Sequence, residues 1–175
     1  MDLDQLKYPI GRFTRPANVS DDARATAVAS IAALPSALRA AVSGLSAPQL
    51  DTPYRPDGWT VREVVHHVGD SHLNALARLN LALTETAPVI RVYDEGAWVR
   101  AGASTQTIDA QLAFVDVLHA RIAALAETVD AESGARTLVH PENGAMTIDV
   151  LLSLYAWHGA HHVAHITALR TREGW

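Results

Sequence analysis

Between Val150 and Leu169 the chain carries no Asp, Glu, Lys or Arg, yet four histidines interrupt the run. A wholly apolar stretch of that length spans a bilayer. Four imidazoles and Ser153 are costly in hydrocarbon, so the segment reads instead as a helix that buries its apolar stripe against the rest of the protein. The 175 residues suffice for one sizeable core, and residues 1–175 read as a single domain. Nine histidines are present, and seven of them lie in two short segments, His66 to His72 and His158 to His165.

Composition narrows the function. With 14 basic and 19 acidic residues the net charge is −5, and Lys7 is the single lysine among scattered arginines. No cluster could neutralise a run of phosphates or hold an anionic membrane, so neither nucleic acid nor a membrane is an expected partner. Cysteine is absent. Disulfides, thiolate ligands and a cysteine nucleophile are thereby excluded, and any metal must be held by nitrogen or oxygen. The start, Met1 to Lys7, lacks the basic and apolar pattern of a secretory signal, which predicts a cytoplasmic protein.

Punctuation along the chain defines four helices. Pro9, Gly11 and Pro16 predict an extended N-terminal arm over residues 1–19. Ser20 with Asp21 and Asp22 opens a first helix to about Ser43, which Pro35 is expected to kink or divide. A proline-rich linker follows from Ala47 to Gly58. Thr60 and Glu63 form a capping box for a second helix to about Leu83. Thr84 to Ala103 reads as a long crossover loop, of a length often tied to function. Ile108, Leu112, Val115, Leu118, Ile122 and Leu125 mark a third helix from about Ser104 to Gln106 onward, and a fourth runs from about Met146 to Arg170. The fold class is all-α, a four-helix bundle whose sites lie between facing helices. The long loop after helix two permits a non-sequential packing order.

Helical geometry then places the histidines. On the fourth helix His158, His162 and His165 share the apolar arc of Leu151, Leu152, Tyr155, Ile166 and Leu169, with His161 at its edge. Rings four residues apart on one face are close enough to share an ion. A single buried histidine is usually satisfied by hydrogen bonds, but several together must each be desolvated, and one divalent cation satisfies them at once. The pair His161 and His165 has the same spacing on a less central arc. On the second helix periodicity nominates His72, whereas His67 lies at the stripe border beside Glu63, Ser71, Asn74 and Arg78, and His66 points away with Arg62 and Asn80 as an exposed ring.

The segments Pro53-Tyr54-Arg55-Pro56-Asp57-Gly58-Trp59-Thr60-Val61-Arg62, His66-His67-Val68, Asp70-Ser71-His72-Leu73-Asn74, Tyr155-Ala156-Trp157-His158-Gly159 and His161-His162-Val163-Ala164-His165-Ile166 resemble, in order, the YfiT-like branch of the DinB superfamily. That resemblance implies a four-helix bundle, a homodimer, and one divalent metal per chain, zinc or nickel, held by three histidines. Its first ligand stands seven residues before Asn74, which is His67; the other two correspond to His158 and His162. His72 and His165 then become supporting or core residues. Members of the family are described as metal-dependent hydrolases, and relatives transfer low-molecular-weight thiols such as bacillithiol or mycothiol to electrophiles.

The expected activity is therefore a metal-dependent transferase that conjugates a bacillithiol-type thiol to a small electrophile. Arg55, Asn74 and Arg78 are the candidate substrate-binding residues, the two arginines because they could hold a carboxylate-bearing thiol. A hydrolase using a metal-activated water is the alternative, and a non-catalytic metal-binding stress protein is a third reading.

Overall fold

The computed structural model describes residues 2–103 and 105–175. In chain order the elements are α1 (Leu3–Lys7), α2 (Asp21–Val42), α3 (Ala47–Leu50), α4 (Val61–Thr84), α5 (Glu95–Gly102), α6 (Ile108–Ala126), α7 (Ala131–Gly134), β1 (Thr137–His140), β2 (Gly144–Thr147) and α8 (Ile148–Glu173). The four long helices α2, α4, α6 and α8 each start at a hydroxyl. Ser20, Thr60, Thr107 and Thr147 accept from the backbone N–H three residues on, which satisfies one orphan donor in every first turn. Thr107 fixes the start of α6 at Ile108, later than the expected position. Ser104, the earliest start considered for that helix, and Met1 of the arm lie outside the described residues.

Helix α2 packs on α6 and α8, and α4 packs on the same two. The first and second long helices therefore stand across the bundle from one another, a non-sequential order. One half of the core gathers Ile31, Leu79, Ile122, Leu138, Ile148 and Leu151; the other gathers Leu38, Val61, Val65, Val115, Ile166 and Leu169. By length and composition α2 could cross a membrane, but its Ile31, Leu34 and Leu38 are buried in this core.

Pro35 does not divide α2, which continues through it. A proline lacks the N–H that would bond the carbonyl four residues back, and that carbonyl belongs to Ile31. His119 of α6 takes its place, with Nδ1 2.7 Å from the Ile31 oxygen. At Gly159 of α8 the approach to α2 is close enough that a Cβ would stand 2.6 Å from Leu34 Cδ2.

Short elements occupy the stretches expected to be irregular. The arm contains α1, the linker contains α3, and the crossover contains α5. A β1–β2 hairpin precedes α8, with Leu138 opposite Met146. Met146 is thus a strand residue and α8 begins two positions later. The crossover joins this hairpin: Ile90 N–H donates to the Val139 carbonyl, and Val139 N–H to the Pro88 carbonyl. The arm lies along its own α8, with Tyr8 near His161, Phe13 near Trp157 and Arg15 donating to the Ala145 carbonyl.

Candidate metal centre

Where α4 meets α8, His67 Nε2 lies 3.2 Å from His158 Nε2. One ligand atom each from His67, His158 and His162 falls within 4.8 Å of the others. Two nitrogens bound to one tetrahedral zinc at about 2.05 Å would be separated by about 3.3 Å. The donor set therefore fits a divalent cation. His67 and His162 are buried and His158 is the partly open member.

Electrostatics keeps the three rings neutral. Burial, followed by the nearby His165, lowers His67 to about 4. Burial is also the main cause that holds His158 and His162 well below the ordinary histidine range. Neutral rings offer lone pairs at pH 7 without first releasing protons. At His158 the permanent charge of Arg78 adds to the effect of burial.

Outer partners set which nitrogen faces the ion. His72 Nε2 is 3.1 Å from His158 Nδ1, and His165 Nδ1 is 3.4 Å from His162 Nδ1. A ring that coordinates through Nε2 carries its proton on Nδ1 and needs an acceptor there. His165 is prepared for that role because its Nε2 lies 3.0 Å from the Lys7 carbonyl. With its own proton on Nε2, its Nδ1 can accept. Trp59 packs on the His67 ring at 4.5 Å between centroids.

A cavity of about 190 Å³ opens beside His158. Its apolar wall is Ile90, Leu138, Met146, Leu151 and Leu154, and its polar groups include Ser71, Arg78, Glu95, His140 and Tyr155. Arg78 Nη1 donates to Tyr155 Oη at 2.8 Å. Burial raises the hydroxyl pKa of both Tyr155 and Tyr93.

The DinB superfamily model matches residues 30–166. The chain belongs to the DinB superfamily. A Bacillus cereus protein named "putative metal-dependent hydrolase" is 44% identical over 173 residues, covering 99% of this chain and 100% of the relative. A Bacillus thuringiensis subsp. konkukian protein of the same description is 43% identical over the same shares. The solved structure of YfiT from Bacillus subtilis, "a probable metal-dependent hydrolase with an unusual four-helix bundle topology", matches with a TM-score of 0.94 and 41% identity over 98% of this chain and 99% of that one. A second solved four-helix bundle protein matches at TM-score 0.60 and 23% identity over 83% of this chain and 98% of that one, which shows the fold alone. Within the superfamily this is the YfiT-like branch.

In this DinB-superfamily chain the three candidate substrate residues part company. Arg78 reaches the cavity. Asn74 turns its amide back to the Asp70 carbonyl, and Arg55 donates to Tyr54 Oη and the Pro56 carbonyl, near His165. His66 is buried rather than exposed, because α6 covers that face of α4 and Gln111 approaches the His66 carbonyl. Ser71, Tyr93, His140 and Tyr155 are not among the candidate site residues, whereas Glu95 belongs with Asp94 to an acidic pair in the crossover that could serve as base or ligand. Tyr155, one helical turn before His158 on the same arc, and Ser71, one turn after His67 on α4, carry a signal in their spacing; Tyr93, Glu95 and His140 come from the crossover and the hairpin, whose approach no periodicity encodes.

Proposed function

We propose that this chain is a metal-dependent enzyme that conjugates a low-molecular-weight thiol of the bacillithiol type to a small electrophile. The observation that carries this reading is three neutral histidine donors converging beside a cavity. A divalent cation held by His67, His158 and His162, zinc or nickel in this reading, would favour the thiolate of a bound thiol at neutral pH. A thiolate so formed needs no general base. Arg78 supplies a fixed positive charge for an anionic part of the substrate, Tyr155 holds that guanidinium in place, and the wall around Leu138 and Leu151 excludes water.

A hydrolase that attacks with water is the second reading, favoured by the names of the relatives. The homodimer implied by family resemblance would find an apolar face at Leu73, Phe114 and Val117, all exposed. We place the protein in the cytoplasm, where such thiols are kept reduced.

The test pairs elemental mass spectrometry with activity. Wild type should carry about one zinc or nickel per chain, and a His158→Ala/His162→Ala variant should lose it together with thiol consumption in the presence of a model electrophile. Ester or amide cleavage without thiol consumption would transfer the assignment to the hydrolase. Metal bound with neither activity would leave a metal-binding protein.

A further inference from the structure

The cavity beside His158 holds opposite charges, Arg78 and Glu95, that feel one another without forming an ion-pair contact. Arg78 is half-buried, and among the described residues no carboxylate lies within ion-pair distance of it. Two of its nitrogens bond the Tyr155 hydroxyl and, at 3.4 Å, the Arg91 carbonyl. Its Nε is buried with no partner, and so is the Tyr93 hydroxyl. Buried donors left without acceptors are rare in folded proteins, and an ordered water or a bound group completes them. Tyr93 and Arg78 line an outer opening with the carboxylates Asp94, Glu95 and Glu142, and of these Arg78 and Glu95 line the inner cavity as well. Glu95 makes no ion pair among the described residues. It stands exposed at the rim, at the start of α5.

We propose that this cavity is a subsite for a small zwitterion of the α-amino acid type, its carboxylate held by Arg78 and Tyr93, its ammonium by Glu95, and its side chain directed toward His158. An acceptor group satisfies both orphaned donors, and a planar carboxylate matches the guanidinium fork. A second anionic group at the rim would meet Glu95, whereas an ammonium is attracted there. Size agrees. A cavity of about 190 Å³ has room for about six water volumes at about 30 Å³ each, enough for an amino acid with a short side chain. Tyr155, which holds Arg78, precedes His158 by one turn, about 4.5 Å along the helix axis. A side chain of two or three atoms covers that span, and the apolar wall of Leu138, Met146 and Leu151 accepts its body. The substrate class rests on the enzyme reading above; the binding itself does not.

The experiment uses full-length, zinc-loaded protein and three probes: S-methylcysteine, its N-acetyl derivative and its methyl ester. Dissociation constants come from NMR titration or calorimetry. The free zwitterion should bind, and removing either charge should weaken it by about tenfold or more, as for hydrogen bonds to charged groups. Arg78→Met should erase the preference for acid over ester, and Glu95→Gln the preference for free amine over N-acetyl. If the ester binds as well as the acid, or the N-acetyl form as well as the free amine, the proposal is overturned, as it is if none of the three binds. The wild-type comparison stands even where Arg78→Met fails to fold. Metal content and thiol consumption, measured separately, show whether the enzyme reading has failed independently.

Discussion

His72 touches no more than one edge of the candidate centre, yet its Nε2 sits 3.1 Å from the nitrogen of His158 that must carry a proton if the other nitrogen is to coordinate. Replacing it with Phe keeps the ring volume and removes the acceptor. Metal affinity should fall by about 10- to 100-fold, read by competition with a chromophoric chelator, while helical content stays unchanged. Equal affinity would assign His72 to packing alone. Sequence periodicity put His72 on the apolar stripe, and the ring is indeed fully buried. What periodicity cannot give is the partner across the helix interface, because that depends on the axial offset of α4 and α8. The same blindness hid the burial of His66, whose cover comes from α6.

Helices α2 and α8 are tied twice. Arg24 grips Asp149 with Nε and Nη2 at 2.6 and 2.9 Å, both residues buried. Bonding to Asp149 raises the pKa of the guanidinium, so it stays charged under all ordinary conditions. Asp149→Ala leaves that cation buried with only the exposed Asp21 as partner and should cost up to about 3 kcal/mol by chemical denaturation, and an Arg24→Met/Asp149→Leu pair should recover most of the loss. If the double variant is as unstable as the single one, packing and not charge dominates there. Gly159→Ala tests the second tie. The gain in helix propensity, about 1 kcal/mol, opposes an overpacking cost of about 1–3 kcal/mol against Leu34, and net destabilisation is expected. The caps of these helices were legible because Ser and Thr before an apolar period carry a local signal. The hairpin was not: strands of four residues in a region of turns show no alternation to count. Nor could Pro35 alone reveal that His119 would cover the carbonyl it exposes.

At the scale of the molecule, burial lowers the pKa of His66, His67, His72, His119, His161 and His165 below the ordinary value. The unfolded chain therefore takes up protons first as pH falls. Metal-free protein should keep its full stability above about pH 6.5 and lose it progressively toward about pH 4, seen as a falling denaturation midpoint. A flat profile over that range would mean that these rings charge in the native state without cost. Metal at about 100 times its dissociation constant should add about 2.7 kcal/mol, lost on treatment with a chelator. The four long helices and the bundle class were readable from period and punctuation, whereas the four short helices and the packing order were not, since loop length permits several orders without choosing among them. The contact between the Lys7 carbonyl and His165 has a consequence in time. It joins positions 158 residues apart, and closing so distant a pair is entropically slow compared with forming helices. During refolding, circular dichroism should recover before the slowest phase of metal uptake, because the ring behind His162 acquires its fixed orientation only when the arm arrives.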